Sequence, residues 1–357
     1  MAEFHKVKLA EVYKETDDTS VLTFDIPEEL KNDFEFHQGQ HLTLRQIING
    51  EDVRRSYSLC TSPLENQWSV AVKQIPGGKF STFVNEELQT GDELEIMAPS
   101  GTFGVKVNPE VGKNYLFFAA GSGITPVMSM IKTHLAAEPN STCKLFYVNK
   151  TAKSIIFKEE LEQLRNTYFG RLEIYYFLTQ ERRDIDLFNG RFDDEKMAVL
   201  TKTFIDIPDT NEVFLCGPEN MVNYVSEYLI NAGLPKELVH FELFVTGLSE
   251  EDIKRQERLA KQNVEGTEVV IVDGGKEFLF TMTSDYDNIL DAALNAGADL
   301  PFACKGGVCS TCKCQVTEGE VEMKINYALE DKEVAQNFVL SCQAVPTTDK
   351  VVVDFDV

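Results

Sequence analysis

Four cysteines near the C-terminus place the tightest limits on how this chain can fold. Cys304, Cys309 and Cys312 lie within the segment PFACKGGVCSTCKCQ, and 29 residues separate Cys312 from Cys342. Three thiolates on one short loop and a fourth from a distant segment can enclose a small inorganic centre. A Gly-Gly pair between the first two cysteines allows the loop to curl, so that backbone N–H groups can approach the sulfur atoms. The sequence therefore predicts a metal centre with these four cysteines as ligands.

The spacing of the cysteines indicates which metal they bind. The pattern Cys-x4-Cys-x2-Cys followed by a distant Cys is typical of plant-type [2Fe-2S] ferredoxins. Structural zinc is the alternative, since four cysteines also bind zinc, but zinc sites usually pair two short Cys-x2-Cys hooks and this chain has one. We therefore predict a [2Fe-2S] cluster. A one-electron carrier needs an electron source, which the rest of the chain should supply.

Composition excludes several classes of function. The chain has 357 residues, enough for two or three domains, and a net charge of −24, which argues against a nucleic-acid partner. Residues 267–357 carry 16 acidic and 6 basic side chains. This acidity either serves solubility or steers the chain towards a basic face on a redox partner. No apolar run reaches the roughly 18 residues that span a bilayer, so we expect no membrane association and a cytoplasmic location.

Patterns along the chain divide it into three folded blocks and a linker. Residues 1–108 contain regularly spaced short strands, which predict a small antiparallel β-barrel. Residues 109–246 alternate between apolar strands and helices, which predicts an α/β domain with a parallel sheet. Residues 247–266 are polar and of mixed charge, as in a tethering linker. Residues 267–357 return to strands with one helix, which predicts an α+β cluster domain.

Two motifs in the first block suit a flavin nucleotide. The tetrapeptide Arg55-Ser56-Tyr57-Ser58 offers a guanidinium for a pyrophosphate, a rigid aromatic ring for a flat cofactor and a hydroxyl donor. About 20 residues later a glycine pair precedes a predicted helix, whose N-terminus is an anion site. The residues of this second motif are Gly77, Gly78, Lys79, Phe80 and Ser81.

These motifs resemble those of the ferredoxin–NADP reductase superfamily. The resemblance implies that Arg55 faces the flavin pyrophosphate, that Tyr57 packs on the isoalloxazine ring and that Ser58 hydrogen-bonds near flavin N5. It also implies FAD as the flavin, although some oxygenase reductases of this superfamily use FMN. A hydroxyl near N5 can tune the reduction of the flavin.

The second block carries a candidate nicotinamide site. Gly121, Gly123, Thr125 and Pro126 follow a buried strand and open a helix, so the backbone can approach a pyrophosphate closely. This segment matches the superfamily pattern Gly-x-Gly-x-x-Pro. By the same resemblance Cys216, at the end of a later strand, lies near the nicotinamide and flavin N5; a small buried packing residue is the alternative.

Two more residues complete the predicted hydride site. In HFELF, Glu242 could relay a proton and Phe244 could cover the flavin ring, as the resemblance implies; a final core strand is the alternative. Ser58, Cys216 and Glu242 are thus predicted at the hydride step.

Lys150 stands where the family typically has arginine. With Lys153 nearby and no acidic residue directly at that strand end, it favours NADPH over NADH.

The order of the modules resembles the reductase components of multicomponent oxygenases. The segments CKGGVCSTCKCQVTEGEVEM and NYALEDKEVAQNFVLSCQ are most similar to reductases of phenylacetyl-CoA epoxidase systems, and imply a β-grasp fold for residues 267–357. The resemblance implies an enzyme that passes electrons from NADPH through FAD and [2Fe-2S] to a di-iron oxygenase. The alternatives are a reductase for another hydroxylase, desaturase or haem oxygenase, and a non-enzymatic redox sensor.

Overall fold

The structure is a computed structural model and describes residues 3–244, 250–262 and 264–357. The chain divides into two compact units. One unit comprises residues 6–53 and 57–246, and the other comprises residues 1–5, 54–56 and 247–357.

The N-terminal sheet is antiparallel and closes into a barrel. The strand order is β4-β3-β6-β1-β2-β5, and a bridge between Leu59 and Val70 joins the two outer strands. Buried apolar side chains, Leu22, Val72 and Phe80 among them, fill its core. Its elements are β1 (His5–Thr16), β2 (Thr19–Asp25), β3 (His41–Ile48), β4 (Glu51–Ser58), β5 (Trp68–Lys73), α1 (Lys79–Glu86) and β6 (Glu93–Ile96).

The central sheet is parallel, as the strand–helix alternation predicted. Its elements are β7 (Asn114–Ala120), α2 (Ile124–Ala137), β8 (Thr142–Asn149), α3 (Lys158–Thr167), β9 (Leu172–Leu178), α4 (Asp194–Thr203), β10 (Glu212–Gly217), α5 (Glu219–Asn231) and β11 (Val239–Leu243). The order β11-β10-β7-β8-β9 means that the chain reverses direction across the sheet after β9. The carboxyl ends of β7 and β10 therefore flank the crevice where such sheets bind ligands.

The barrel and the parallel sheet belong to the same unit and are joined through α2. Ser129 donates from Oγ to the carbonyl of Thr61 at 2.6 Å, and the hydroxyls of Ser62 and Thr133 are 2.8 Å apart. Lys132, largely buried, pairs with Glu65 of the barrel side at 3.1 Å. These contacts fix the glycine turn that precedes α2 relative to the barrel.

The C-terminal unit has an α+β fold with a mixed sheet of order β13-β12-β18-β14-β16 and a small sheet of β15 and β17. Strands β12 and β18 pair in parallel, whereas β14 pairs antiparallel with β18. The elements are α6 (Glu250–Leu259), β12 (Glu268–Asp273), β13 (Lys276–Thr281), α7 (Ile289–Asn295), β14 (Lys313–Glu318), β15 (Val321–Met323), α8 (Asp331–Val334), β16 (Phe338–Leu340), β17 (Ala344–Pro346) and β18 (Lys350–Asp354). The predicted succession of barrel, parallel sheet and α+β domain is confirmed.

The segment predicted to be a linker is partly helical. It contains α6, and both Leu259 and Val264 are buried in the core of the C-terminal unit. Residues 247–249 and 263 of that segment lie outside the described residues. None of the helices that the structure describes is long and apolar enough to cross a membrane.

Candidate active site and metal centre

The first flavin motif lies at the end of β4. Arg55 is exposed, and its guanidinium donates to the carbonyl of Arg54 at 2.7 Å. The half-buried ring of Tyr57 has its centroid 5.9 Å from that of Phe80. Ser58 is buried. The strand thus presents a cation, an aromatic ring and a hydroxyl within four consecutive residues.

The second flavin motif forms a tight turn that leads into α1. Gly77 has a φ of +75°, where side chains are strained, and a Cβ on Gly78 would lie 2.5 Å from Ile75 Cγ1. Helix α1 begins at Lys79, directly after Gly78, so its N-terminal N–H groups lie next to the turn. Ser81 stabilises this turn, because its Oγ accepts the N–H of Ile75 at 3.2 Å. Such a turn can bind a phosphate through backbone groups.

The nicotinamide turn is held in place by a tyrosine of the neighbouring strand. Gly121 adopts a φ of +54°, and Tyr147 donates its hydroxyl to the Gly121 carbonyl at 2.9 Å. Thr125 donates from Oγ1 to the carbonyl of Ser122 at 3.1 Å, and Pro126 is buried in the first turn of α2. The turn is therefore ordered by hydrogen bonds from Tyr147 and Thr125.

Sequence reasoning did not single out Tyr147. A tyrosine in a strand that is buried on both faces must find a partner for its hydroxyl, and the segment KLFYV therefore carried a usable signal. The partner, Gly121, is 26 residues away in sequence and could not be inferred from local patterns.

Gly123 brings the nicotinamide turn against the end of β10. A Cβ on Gly123 would lie 2.1 Å from the carbonyl oxygen of Cys216, which only glycine avoids. The backbone of the turn therefore contacts the Cys216–Gly217 peptide directly. This contact forms the floor of the crevice between β7 and β10.

Ser58, Cys216 and Glu242, predicted from three separate motifs, lie together. Ser58 donates from Oγ to Glu242 Oε2 at 3.4 Å, and Cys216 is the register partner of Glu242 in the pairing of β10 with β11. Burial raises the pKa of the Cys216 thiol, and the charge of Glu242 adds to that effect. Phe244 is half-buried and packs against the core cluster that contains Cys216.

The predicted nucleotide-selecting lysines lie after β8. Lys150 and Lys153 are exposed. The loop between them is ordered by Ala152, which donates its N–H to Glu181 Oε2 at 2.8 Å. Sequence reasoning found no acidic residue directly after β8; Glu181, which follows β9, is brought there by the fold.

The four predicted cluster ligands come together in the C-terminal unit as two pairs. The Cys304 thiol hydrogen-bonds with Cys309, and this contact, together with burial, raises the pKa of Cys304. The Cys312 thiol hydrogen-bonds with Cys342, and this contact lowers the pKa of Cys342. Residues 304–312, the cysteine loop, curl through three left-handed positions. These positions are Lys305, Gly307 and Ser310.

The donor set fits a binuclear iron–sulfur cluster. Gly306 donates its N–H to Cys304 Sγ at 3.3 Å, and Gln343 donates from Nε2 to Cys342 Sγ at 3.6 Å. Hydrogen bonds to sulfur are a normal feature of such sites. Among the described residues, no group of three or more His, Cys, Asp or Glu side chains could hold a single metal ion. The four neighbouring thiols, two of which accept N–H donors, are therefore compatible with a [2Fe-2S] cluster.

Three sequence families match successive parts of the chain. The FAD-binding domain of oxidoreductases matches residues 6–104, the NAD-binding domain matches residues 117–227, and the 2Fe-2S iron-sulfur cluster binding domain matches residues 271–347. The fold and these matches define an oxidoreductase with an FAD-binding, an NAD-binding and a 2Fe-2S cluster-binding domain.

The chain belongs to the family of reductase components of oxygenase systems. It is 43% identical to a subunit of the 1,2-phenylacetyl-CoA epoxidase of Escherichia coli (strain K12), over 100% of this chain and 99% of that protein. It is 32% identical to the ferredoxin reductase component of the 3-ketosteroid-9-alpha-monooxygenase of Rhodococcus rhodochrous, over 96% and 95% of the two chains. The fold is similar to that of phthalate dioxygenase reductase, with a TM-score of 0.60, 23% identity and coverage of 99% and 98%.

Proposed function

We propose that this chain supplies electrons from NADPH to the di-iron oxygenase of a phenylacetyl-CoA epoxidase system in phenylacetate catabolism. The observation that carries the proposal is the 43% identity to the epoxidase subunit over the full length of both chains. When bound, FAD accepts a hydride and the [2Fe-2S] cluster carries single electrons, which converts a two-electron donor into a one-electron source.

The barrel residues are assigned to FAD. Arg55 would pair with the pyrophosphate, Tyr57 would pack on the flavin ring, and the turn formed by Gly77 and Gly78 would accept phosphate oxygens at the start of α1. The exposed guanidinium of Arg55 and the side-chain-free approach at Gly78 support this assignment. Lys79, Phe80 and Ser81 extend the same site.

The hydride site is assigned to Ser58, Cys216 and Glu242. Ser58 would donate to the flavin ring, Glu242 would hold or move a proton through the Ser58 hydroxyl, and Cys216 would border the nicotinamide as a neutral thiol. Their mutual contacts support these roles, since the hydroxyl and the carboxylate already share a hydrogen bond. Phe244 would cover the ring until the nicotinamide enters. Gly121, Gly123, Thr125 and Pro126 would bind the nucleotide pyrophosphate.

The metal ligands are assigned to Cys304, Cys309, Cys312 and Cys342. Each iron would take one of the two thiol pairs. The domain boundaries at residues 108, 246 and 266 and the cytoplasmic location are part of the same proposal. The eight cysteines, all unpaired by disulfides, suit a reducing compartment.

NADPH preference is assigned to Lys150 and Lys153. Both lysines are exposed after β8, and the carboxylate of Glu181 is engaged by the Ala152 N–H. We expect kcat/KM for NADPH to exceed that for NADH, and Lys150→Ala to lower the ratio severalfold. A wild-type protein that prefers NADH would overturn this part of the proposal. Glu181→Gln removes a negative charge instead of a positive one, so it should raise the ratio of kcat/KM for NADPH to that for NADH.

Reconstitution tests the partner directly. With O2 as the co-substrate, the purified chain, NADPH and the remaining subunits of the Escherichia coli epoxidase should convert phenylacetyl-CoA to its epoxide and water. The Rhodococcus ketosteroid oxygenase component is the control, and we expect it to receive electrons more slowly. Faster support of the ketosteroid reaction, or no epoxide with a fully loaded reductase, would assign the chain to another oxygenase.

A further inference from the structure

Gln343 occupies a fixed position beside the fourth cluster ligand. It follows Cys342 directly and is only 5% exposed. Its backbone N–H donates to Leu340 at 2.8 Å, and its carbonyl accepts the N–H of Lys324 at 2.9 Å. The backbone of this residue therefore has little freedom to move.

The side-chain amide of Gln343 links the two parts of the cluster site. Its Nε2 donates to the carbonyl of Lys305 at 3.0 Å and to Cys342 Sγ at 3.6 Å. Lys305 lies 38 residues earlier, on the cysteine loop. A Cβ on Gly307 would lie 3.3 Å from Gln343 Cγ, so the loop also packs closely on this side chain. One buried amide thus contacts both the three-cysteine loop and the fourth thiol.

The physical effect of such an amide is twofold. Lys305 has a φ of +52°, a conformation that a non-glycine residue keeps only when its surroundings hold it. The bond from Gln343 to the Lys305 carbonyl supplies that restraint. An N–H donor on a ligand sulfur also stabilises the more negative, reduced form of a cluster, and hydrogen bonds to sulfur are a known control of cluster potential.

We propose that Gln343 is a positioning residue for the cluster, which closes the cysteine loop against Cys342 and raises the reduction potential of the cluster. The proposal rests on the proposed ligand set and concerns the same site. A polar residue used only to fill a buried space would not affect the potential.

The test compares two variants with a matched control. Gln343→Leu removes the donor with similar volume, and Gln343→Glu keeps the shape but replaces the amide nitrogen with oxygen. The control is Gln315→Leu, because Gln315 lies in the same unit and donates to the Gln336 carbonyl at 2.9 Å. The purified full-length proteins are compared by redox titration followed by EPR and by the rate of cluster bleaching in a chelator.

We expect Gln343→Leu to lower the equilibrium constant for one-electron reduction about tenfold, which is about 59 mV, and to bleach about 10–100-fold faster. Gln343→Glu should have a still lower potential, and Gln315→Leu should match wild type. A Gln343→Leu protein that is folded and FAD-loaded but does not retain its cluster also supports the proposal. The reduction potential of the cluster is then measured in Gln343→Glu. Wild-type potentials and bleaching rates in both Gln343 variants would overturn it. A wild-type protein that binds no cluster would instead overturn the proposed ligand set.

Discussion

Cys216 and Cys342 are both buried, yet the groups that act on their thiols differ. Cys216 lies on a regular strand, where burial and the nearby charge of Glu242 raise the pKa of its thiol. The pKa of Cys342 is instead lowered by a hydrogen bond from Cys312, and the amide of Gln343 adds to that effect. Contact between neighbouring thiols raises the pKa of the proposed ligands Cys304 and Cys312, so the cysteine site differs from Cys216 in having thiols that contact one another.

The two sites also differ in how they are assembled. Three of the four proposed cluster ligands lie within nine consecutive residues, on a loop shaped by its own backbone. The proposed hydride site joins the end of a barrel strand to two strands of the parallel sheet, and its Ser58–Glu242 bond spans 184 residues. Damage to the cluster site should therefore remain local, whereas the hydride site should respond to changes in packing at a distance.

The largest effect is expected for Cys342→Ser. This change removes a ligand of the proposed cluster, so electron transfer from NADPH to a cytochrome acceptor should fall to background, while reduction of the flavin by NADPH remains largely intact. Stopped-flow absorbance separates the two steps. Cys314→Ala is the control, since Cys314 is a fully buried thiol two residues from Cys312 with no assigned ligand role. Cytochrome reduction at the wild-type rate by Cys342→Ser would remove the cluster from the route.

The next effect is expected for Gly123→Ala, which tests the long-range assembly of the hydride site. The added Cβ would collide with the backbone of Cys216, so we expect the free energy of unfolding to fall by about 1–3 kcal/mol and nucleotide binding to weaken. Chemical denaturation and nucleotide titration measure both. Gly170→Ala is the control, because a Cβ there meets nothing within 4 Å and only its φ of +77° adds strain. Equal nucleotide affinities in the two variants would contradict the close approach.

A smaller effect is expected for Tyr147→Phe. Loss of the hydroxyl bond to Gly121 should cost about 1 kcal/mol, which raises KM for NADPH roughly fivefold with little change in kcat. Steady-state kinetics provide the measurement. Tyr176→Phe is the matched control, since that hydroxyl instead contacts Glu162 at 3.1 Å. An unchanged KM in Tyr147→Phe would mean that the turn keeps its shape without this bond.

The smallest effect concerns the pH dependence of stability. Burial lowers the pKa of His134 below its usual 6.5, and the charge of Lys113 lowers it further. The carboxylates of Glu138, at 3.2 Å, and Glu212 raise this pKa but do not offset burial. The ring of Tyr115 stacks on the imidazole. His134 therefore binds a proton more readily in the unfolded chain than in the folded one. The free energy of unfolding should fall as pH drops below about 6.5. Denaturant unfolding between about pH 7.5 and pH 5.5 should show this slope.

The variant His134→Gln provides the check on that assignment. It removes the titrating group, so its stability curve should be flatter over the same pH range. Glu138, whose pKa is lowered by hydrogen bonds from Asn108 and Ser141 that outweigh its burial, should act only at lower pH. An identical slope in wild type and His134→Gln would assign the effect to other groups.

The parts of the account that could be predicted from sequence are those encoded locally. The cysteine spacing and the glycine turn at Gly121 are short motifs, and the alternation of strands and helices predicted the parallel sheet. The roles of Tyr147 and Gln343 depend on partners 26 and 38 residues away, which local sequence patterns do not identify. Glu181 was missed for the same reason, since only the pairing of β8 with β9 brings it to Ala152.

The central claim is that NADPH delivers two electrons at the proposed hydride site and that these electrons leave one at a time through the proposed cluster site. An anaerobic titration of wild type and Cys342→Ser with NADPH, and in parallel NADH, followed by visible absorbance and low-temperature EPR, tests it most directly. The account predicts flavin bleaching in both proteins and the EPR signal of a reduced [2Fe-2S] centre in wild type alone. Flavin bleaching in wild type without that signal would contradict it.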